Sequence, residues 1–139
     1  MATIERHYVR ELVSLPTSAT CREAAILMRD RRIGAVAVRD GGEVVGLVAE
    51  RDLALGLVGD GAPATTKLGQ VVRPDGPSVA SRATEKECAD LMRSAHVRHL
   101  LVKEGGKVTG LISMRDVIVL MLEEKEHMIR NLEGYISGH

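Results

Sequence analysis

The chain has 139 residues, which is enough for one compact domain or for two small halves that share a core. Its 19 basic and 19 acidic residues balance to a formal charge of zero, which excludes a global positive field that would recruit nucleic acid or an anionic membrane. Trp and Phe are absent, no apolar run approaches the roughly 20 residues that span a bilayer, and the first residues contain no apolar signal segment. We therefore expect a cytoplasmic protein without nucleic-acid or membrane partners.

An internal repeat organises the chain. The offset of 64 residues between Asp52 and Asp116 holds without a gap over a long span. It aligns Thr20 with Thr84, Glu23 with Glu87, Leu27-Met28-Arg29 with Leu91-Met92-Arg93, Val38 with Val102, Gly41-Gly42 with Gly105-Gly106, and Gly46-Leu47 with Gly110-Leu111. Chance does not hold one register across so many residue types, so we infer a duplication.

Each copy predicts the same elements in the same order. A helix begins at a capping box, Thr20-x-x-Glu23 or Thr84-x-x-Glu87, and its apolar residues recur at i, i+3 and i+4. Two strands joined by a Gly-Gly hairpin follow, and a second helix begins where the second strand ends. The strands are expected at residues 33–38, 44–49, 97–102 and 108–113, with short extended segments at 13–15 and 78–79 before the helices.

The repeat divides the chain into four predicted regions. They are a first repeat at 8–60, a linker at 61–76 with a short docked turn at 68–72, a second repeat at 77–122, and a C-terminal helical tail at 123–139. Neither half can bury enough apolar surface alone, so we expect the two to pack on each other as a pseudo-two-fold pair. The predicted fold class is α/β (α+β), with duplicated β-α-β-β-α repeats and a long C-terminal helix.

The tail differs from both repeats. From Asp116 to roughly Ile136 the pattern allows one long helix, whereas Gly56 and Gly59 stop its counterpart in the first repeat. A heptad-like apolar stripe, interrupted by Lys125, consists of Ile118, Leu122, Ile129, Leu132 and Ile136. The stripe either packs back on its own domain or pairs with the same helix of another protomer, which would make the protein a homodimer.

The phrases "GLVAERDL" at 46–53 and "GLISMRDV" at 110–117 mark the place where a strand leads into a helix. The first N–H groups of a helix lack intrahelical partners, and the helix dipole favours anions there. A Ser at this point can bind a ribose hydroxyl or a phosphate, and an Asp three residues later can accept from a ribose diol. Ser113 and Asp116 have that spacing, although Ser-x-x-Asp also serves as an ordinary helix cap.

Two copies of this ordered set resemble a known family, the tandem cystathionine-β-synthase (CBS) domains, which form a paired module. The stretches "TCREAAILMRDRRIGAVAV…GEVVGLVAERDL" and "ATEKECADLMRSAHVRHLLV…GKVTGLISMRDV" carry the resemblance, which covers about residues 8–122. The resemblance implies a stand-alone regulatory module without catalytic activity. It implies that AMP, ADP, ATP, NAD(H) or S-adenosylmethionine binds in clefts between the repeats, and that a partner protein reads the change in conformation or dimer geometry.

The family's ligand-binding positions carry over residue by residue. The resemblance places the ribose and phosphate on Ser113 and Asp116 and the adenine against aliphatic and backbone groups. The implied adenine-lining residues are Val97, Ile33, Gly34 and Ala35. Arg98 and His99 match positions at which relatives place phosphate-binding cations.

The first copy departs from the family pattern. Ala49 stands where a Ser or Thr is expected, and Gly34 stands opposite Arg98, so the first copy lacks both a hydroxyl and a cation. Asp52 is retained and either serves a weaker site or only caps its helix. We therefore expect asymmetric occupancy, with the stronger site at Ser113 and Asp116.

Two other functional classes compete with the regulatory module. A dimeric interaction or scaffold protein with vestigial clefts is the first alternative. An enzyme is disfavoured because no phosphate-binding loop, HExxH motif, nucleophile elbow or Cys/His ligand set is present, and we expect neither a metal nor a required cofactor. Cys21 and Cys88 are expected to be free thiols, and their redox activity is left open. The ligand and the regulated partner are not specified by the sequence.

Overall fold

The predicted mixed fold with a long C-terminal helix is confirmed. A computed structural model describes residues 2–73 and 76–136. In chain order the elements are β1 (Ser14–Pro16), α1 (Cys21–Arg31), β2 (Ala35–Asp40), β3 (Glu43–Ala49), α2 (Glu50–Leu53) continued by a π-helical turn (Ala54–Val58), α3 (Leu68–Val71), β4 (Ser78–Ala80), α4 (Glu85–Ala95), β5 (His99–Glu104), β6 (Lys107–Ser113) and α5 (Met114–Ile136). Residues 68–71 thus form the docked turn expected in the linker.

The described chain forms two compact units, and each unit contains one repeat together with the stretch that precedes the other repeat. Residues 2–10 pack with residues 78–136, here named the second-repeat unit, and residues 11–73 with 76–77 form the first-repeat unit. Ile4 N donates to Ala83 O at 2.9 Å, and Leu68 N donates to Ala19 O at 2.8 Å. The stretch before each repeat therefore completes the other repeat. The predicted ranges 8–60, 61–76 and 77–122 describe the duplication in sequence, whereas the packing units combine separate stretches.

Both units contain the same three-stranded sheet. The strand orders are β1-β2-β3 and β4-β5-β6, with a parallel first pair and an antiparallel second pair. Ala35 pairs with Ala49 in one sheet, and His99 pairs with Ser113 at the equivalent place in the other. Both Gly-Gly hairpins have positive φ at each glycine, which L-residues adopt at a cost. The duplication is therefore also present in strand register.

Each unit has its own core, built mainly from aliphatic, Met and Cys side chains. The core of the first-repeat unit includes Cys21, Ala24, Met28, Val36, Val38, Val48 and Leu68, and that of the second-repeat unit includes Ile4, Tyr8, Cys88, Met92, Leu100, Val102, Ile112 and Val117. The helices α1 and α4 begin at Thr20 and Thr84, whose hydroxyls accept the N–H of Glu23 and Glu87 at 3.1 Å. These caps and cores fix the sheets that end at the repeated phrases.

The helix α5 has 23 residues, of which only the N-terminal half contributes to the core. Val117 and Leu120 are buried, but from Lys125 to Ile136 every residue is exposed apart from the half-buried Gly134. The α5 stripe, defined as Ile118, Leu122, Ile129, Leu132 and Ile136, is 49%, 56%, 54%, 56% and 84% exposed. Among residues 2–73 and 76–136, no helix combines the length and apolar character needed to cross a membrane.

Candidate functional site

The most complete constellation of predicted site residues lies at the β6–α5 junction, defined as Ser113 to Asp116. The hydroxyl of Ser113 donates to Asp116 Oδ2 at 2.9 Å, and the backbone N–H of Ser113 donates to the same oxygen at 2.9 Å. The backbone N–H of Asp116 donates back to Ser113 Oγ at 3.1 Å. Both residues are half-buried. The pair is thus a complete cap of α5, as one of the two interpretations of the spacing predicts.

The same junction gathers the other residues predicted for the second repeat. Arg98 O accepts the N–H of Met114 at 2.8 Å, and His99 is the ladder partner of Ser113. Val97 is half-buried against the core, while the Arg98 side chain is exposed. One end of the β4-β5-β6 sheet therefore combines a carboxylate, a hydroxyl, a guanidinium and an imidazole beside the start of a helix.

The β3–α2 junction, defined as Ala49 to Asp52, repeats this geometry without the hydroxyl. Ala49 N donates to Asp52 Oδ2 at 2.8 Å, and Glu50 N donates to Gly34 O at 3.0 Å. Ala35 is buried and pairs with Ala49, and Ile33 packs against the core of the first-repeat unit. The structure thus brings Ile33, Gly34, Ala35 and Asp52 together. They lie in the first-repeat unit, and Val97, Arg98, His99, Ser113 and Asp116 lie in the second.

The two aspartates differ in their second carboxylate oxygen. Asp52 Oδ1 lies 3.5 Å from Arg73 Nη2, and the two side chains are 19% and 62% exposed. Among the described residues, no Lys, Arg or His forms an ion pair with Asp116, and Asp116 Oδ1 accepts no hydrogen bond. Asp116 therefore retains an oxygen that can accept hydrogen bonds from a ligand.

Arg73 is a candidate functional residue because it pairs with Asp52. The local sequence pattern does not indicate it, since it lies in a loop outside both repeated phrases. The only available signal is the repeat offset, which aligns Arg73 with Val9 and Val72 with Tyr8. In the structure Val9 exchanges backbone hydrogen bonds with Leu111, at 2.8 and 2.9 Å. The aligned stretches therefore occupy equivalent places beside β3 and β6, but only one of them carries a charge.

The two cysteines lie in the first turns of α1 and α4 and belong to neither junction. Cys21 and Cys88 are free and fully buried, as expected for free thiols. Burial raises the pKa of the Cys21 thiol, and burial together with the charge of Glu87 raises the pKa of Cys88 to about 11. Within residues 2–73 and 76–136, no three His, Cys, Asp or Glu side chains are arranged to hold a metal ion.

Comparisons with known proteins identify the family of this fold. A sequence model of the CBS domain matches residues 5–59 and 68–123. The CBS domain-containing protein YhcV of Bacillus subtilis is 23% identical over 119 residues, which cover 86% of this chain and 85% of that protein. The uncharacterized protein YlbB of the same organism is 33% identical over 97 residues, covering 68% of this chain and 66% of that protein.

Solved structures agree with the sequence comparisons. A CBS-domain protein from Burkholderia ambifaria, assigned to signal transduction, matches with a TM-score of 0.77 and 30% identity, covering 82% of this chain and 85% of that one. A CBS-domain containing protein from Agrobacterium tumefaciens matches with a TM-score of 0.74 and 29% identity, covering 81% and 90%.

Proposed function

The chain belongs to the CBS-domain family, and from this premise we propose that it is a non-catalytic regulatory module that binds an adenosine-containing ligand at the β6–α5 junction. The candidate ligands are AMP, ADP, ATP, NAD(H) and S-adenosylmethionine. Ligand binding changes the conformation or the dimer geometry, and a regulated partner protein reads that change. The family and the relatives named above indicate no enzyme family.

One observation carries the proposal: Asp116 combines a fixed position with an oxygen, Oδ1, that accepts no hydrogen bond from the part of the chain that the structure describes. Its Oδ2 is held by Ser113 through two hydrogen bonds, so the carboxylate is oriented before any ligand arrives. A ribose diol donates two O–H groups, and a carboxylate is the acceptor that binds such donors most strongly. Oδ1 of Asp116 is therefore the atom on which we expect the ribose to bind.

The neighbours of Asp116 suit the rest of such a ligand. Arg98 is exposed and offers a guanidinium to a phosphate, and His99 offers an imidazole ring beside it. For a ligand at the β6–α5 junction we assign the adenine contact to the aliphatic side chain of Val97, and for a ligand at the β3–α2 junction to Ile33, Gly34 and Ala35. Asp52 serves a weaker site. The proposed module needs no metal or resident cofactor, and its two free thiols favour a reducing compartment such as the cytoplasm.

The proposal is tested by identifying what the purified protein carries and binds. Mass spectrometry of small molecules released from the protein is expected to find an adenosine compound. Calorimetry against AMP, ADP, ATP, NAD⁺, NADH and S-adenosylmethionine is expected to find at least one ligand. A protein that releases no adenosine compound and binds none of the panel would contradict the proposal.

A dimeric scaffold is the second candidate function, and the α5 stripe favours it. The stripe lies on a face of α5 that differs from the one holding Val117 and Leu120 in the core, and its spacing is that of a helix-pairing seam. Isolated helical segments of about 12 residues are marginal in water, so the exposed half of α5 gains stability when a second copy covers it. The two candidates are compatible, because a dimer can transmit ligand binding.

A further inference from the structure

We infer that Arg73 competes with ribose for Asp52 and thereby makes the β3–α2 junction the weaker of two ligand-binding junctions. The inference rests on the proposed function, since it concerns how well each of the two aspartates accepts a ligand. It follows from a comparison of Arg73 with its counterpart Val9 in the duplication.

The backbone position of Arg73 is fixed by close packing on β3. A Cβ added to Gly46 would lie 2.6 Å from Arg73 O and 2.7 Å from Val72 Cγ2, so any larger residue there would push the backbone of Arg73 away from the strand. The same holds for Gly110, where a Cβ would overlap Val9 O and the Tyr8 ring. Because both stretches cross a glycine of the repeated phrase, positions 73 and 9 are equivalent in space as well as in sequence.

The carboxylates of Asp52 and Asp116 differ in the side chain that faces them from these equivalent positions. In the first-repeat unit both oxygens of Asp52 are engaged, Oδ2 by Ala49 N at 2.8 Å and Oδ1 by the Arg73 guanidinium at 3.5 Å. In the second-repeat unit the equivalent residue is Val9, which cannot form an ion pair. A ribose diol that binds Asp52 must first displace the guanidinium, whereas Asp116 forms no ion pair with a side-chain cation of residues 2–73 and 76–136.

An alternative role for Arg73 is to bind a ligand phosphate in place of the cation that Gly34 lacks. The geometry favours competition, because the guanidinium lies at the carboxylate oxygen itself. The 2′ and 3′ hydroxyls that bind a carboxylate point to one face of the ribose ring, and the 5′ carbon with its phosphate lies on the opposite face. A cation seated on the carboxylate therefore takes the place of the diol. The two roles predict opposite effects of removing Arg73.

The size of the effect follows from the nature of the ion pair. Arg73 is 62% exposed, and exposed ion pairs contribute little, so their loss changes an equilibrium by up to about fivefold. We expect Arg73→Val to strengthen binding at Asp52 by about fivefold. We expect Val9→Arg to weaken binding at Asp116 by a similar factor, because it places a guanidinium on the equivalent backbone.

The test is calorimetry of the full chain with the same adenosine panel, recording stoichiometry and dissociation constants. The variants are Arg73→Val, Arg73→Gln, Val9→Arg and the double variant Arg73→Val with Asp116→Asn. Arg82→Val is the matched control. It removes an exposed arginine whose Nε lies 3.6 Å from Glu5 Oε1, and neither residue belongs to a junction. Thermal unfolding verifies that each variant is folded, and Arg73→Gln keeps the test valid if Arg73→Val is not.

We expect the wild type and Arg82→Val to bind a strong and a weak equivalent of ligand, and Arg73→Val and Arg73→Gln to bind the weak equivalent about fivefold more tightly. The double variant is expected to keep this tightened equivalent alone. A weak equivalent that is absent or unchanged in the Arg73 variants, or weaker binding in Arg73→Val, would overturn the inference and leave the proposed function standing. Absence of binding in the wild type and in every variant would overturn both.

Discussion

The Ser113 hydroxyl donates to Asp116 Oδ2 at 2.9 Å and accepts the Asp116 N–H at 3.1 Å, whereas Ala49 can offer Asp52 only its backbone N–H. The same helix start is therefore capped by two side chains in one repeat and by one in the other. A side-chain cap contributes about 1 kcal/mol to helix or protein stability. The repeats thus differ in stability at the place where they are proposed to differ in ligand binding.

This difference predicts opposite effects of two reciprocal substitutions. Ser113→Ala is expected to lower the free energy of unfolding by about 1 kcal/mol, because the Asp116 N–H loses its acceptor. Ala49→Ser is expected to raise it by a few tenths to about 1 kcal/mol, because Asp52 already occupies the position that completes the cap. Urea unfolding measures both values. A loss of stability in Ala49→Ser would show that the two junctions are not equivalent.

The carboxyl groups of Glu85 and Glu124 predict a pH dependence of stability. Glu85 is 9% exposed, and its Oε2 is buried without a hydrogen-bond partner among the described residues. Burial, the hydrogen bond to Glu124 and the charge of Glu124 raise the pKa of Glu85 above its ordinary value of 4.5. The hydrogen bond from Glu85, followed by the backbone N–H of Ala2, lowers the pKa of Glu124. The folded state therefore favours the protonated form of Glu85 and the charged form of Glu124.

The sign of the effect follows from linkage. The pKa of Glu85 is higher in the folded than in the unfolded state. The protonated form of Glu85 therefore adds to the free energy of unfolding in full below the unfolded pKa, and this addition is lost as the pH rises through the folded pKa. The lowered pKa of Glu124 keeps that group charged throughout this range. Glu85→Gln replaces the O–H donor of the protonated carboxyl with an uncharged amide N–H, and it is expected to lose less stability than the wild type between about pH 5 and about pH 8. Chemical unfolding at both pH values measures the difference, with the exposed Glu87→Gln as control; equal losses in all three proteins would contradict the prediction.

The buried thiols are expected to be unreactive in the folded protein. Cys21 and Cys88 are fully buried, and their raised pKa values keep them protonated near neutral pH, so little thiolate is present. A colorimetric thiol reagent at about pH 8 should modify them only as fast as the protein unfolds, and quickly in denaturant. Ser94→Cys supplies an exposed thiol on α4 for comparison. Rapid modification of the native wild-type thiols would restore a redox-sensing role as a candidate.

The α5 stripe predicts a dimer that a single charge disrupts. Leu132→Glu is expected to convert the protein from dimer to monomer, because it places a carboxylate in the apolar seam. Asn131→Glu introduces the same charge beside the stripe and should leave the dimer intact. Light scattering gives the mass of each. A monomeric wild type, or a dimeric Leu132→Glu, would exclude the stripe as the dimer interface.

The helices, strands and hairpins could be predicted because their signals are local. The capping Thr20 and Thr84, the Gly-Gly turns and the strand patterns lie within the elements that they specify. The residues that end α1 and α4, Arg32 and His96, have a left-handed backbone conformation with φ of 53° and 56°. The sequence carries no signal for it, because neither residue is the glycine that usually adopts this conformation. Both ends are closed by backbone hydrogen bonds, from Ile33 N to Met28 O and from Val97 N to Met92 O at 3.0 Å, which any residue type can supply.

The features that distinguish the two junctions depend on distant contacts. The sequence places Ser113 beside Asp116, but the pairing of Asp52 with Arg73 arises only because the linker crosses β3 at Gly46. The exchange of residues 2–10 into the second-repeat unit likewise requires contacts across most of the chain, such as that between Val9 and Leu111. Periodicity and spacing within one repeat contain no information about either.

The most direct test of the proposed site compares matched substitutions of the two aspartates. Asp116→Asn and Asp52→Asn each keep an oxygen that can cap the helix, so the pair isolates the loss of the carboxylate. Calorimetry with the adenosine ligand that the wild type binds best is expected to show binding weakened at least about tenfold in Asp116→Asn, the scale of a lost hydrogen bond to a charged group. Asp52→Asn is expected to bind like the wild type. Equal binding by Asp116→Asn and the wild type, or a greater loss in Asp52→Asn, would contradict the assignment of the ligand to the β6–α5 junction.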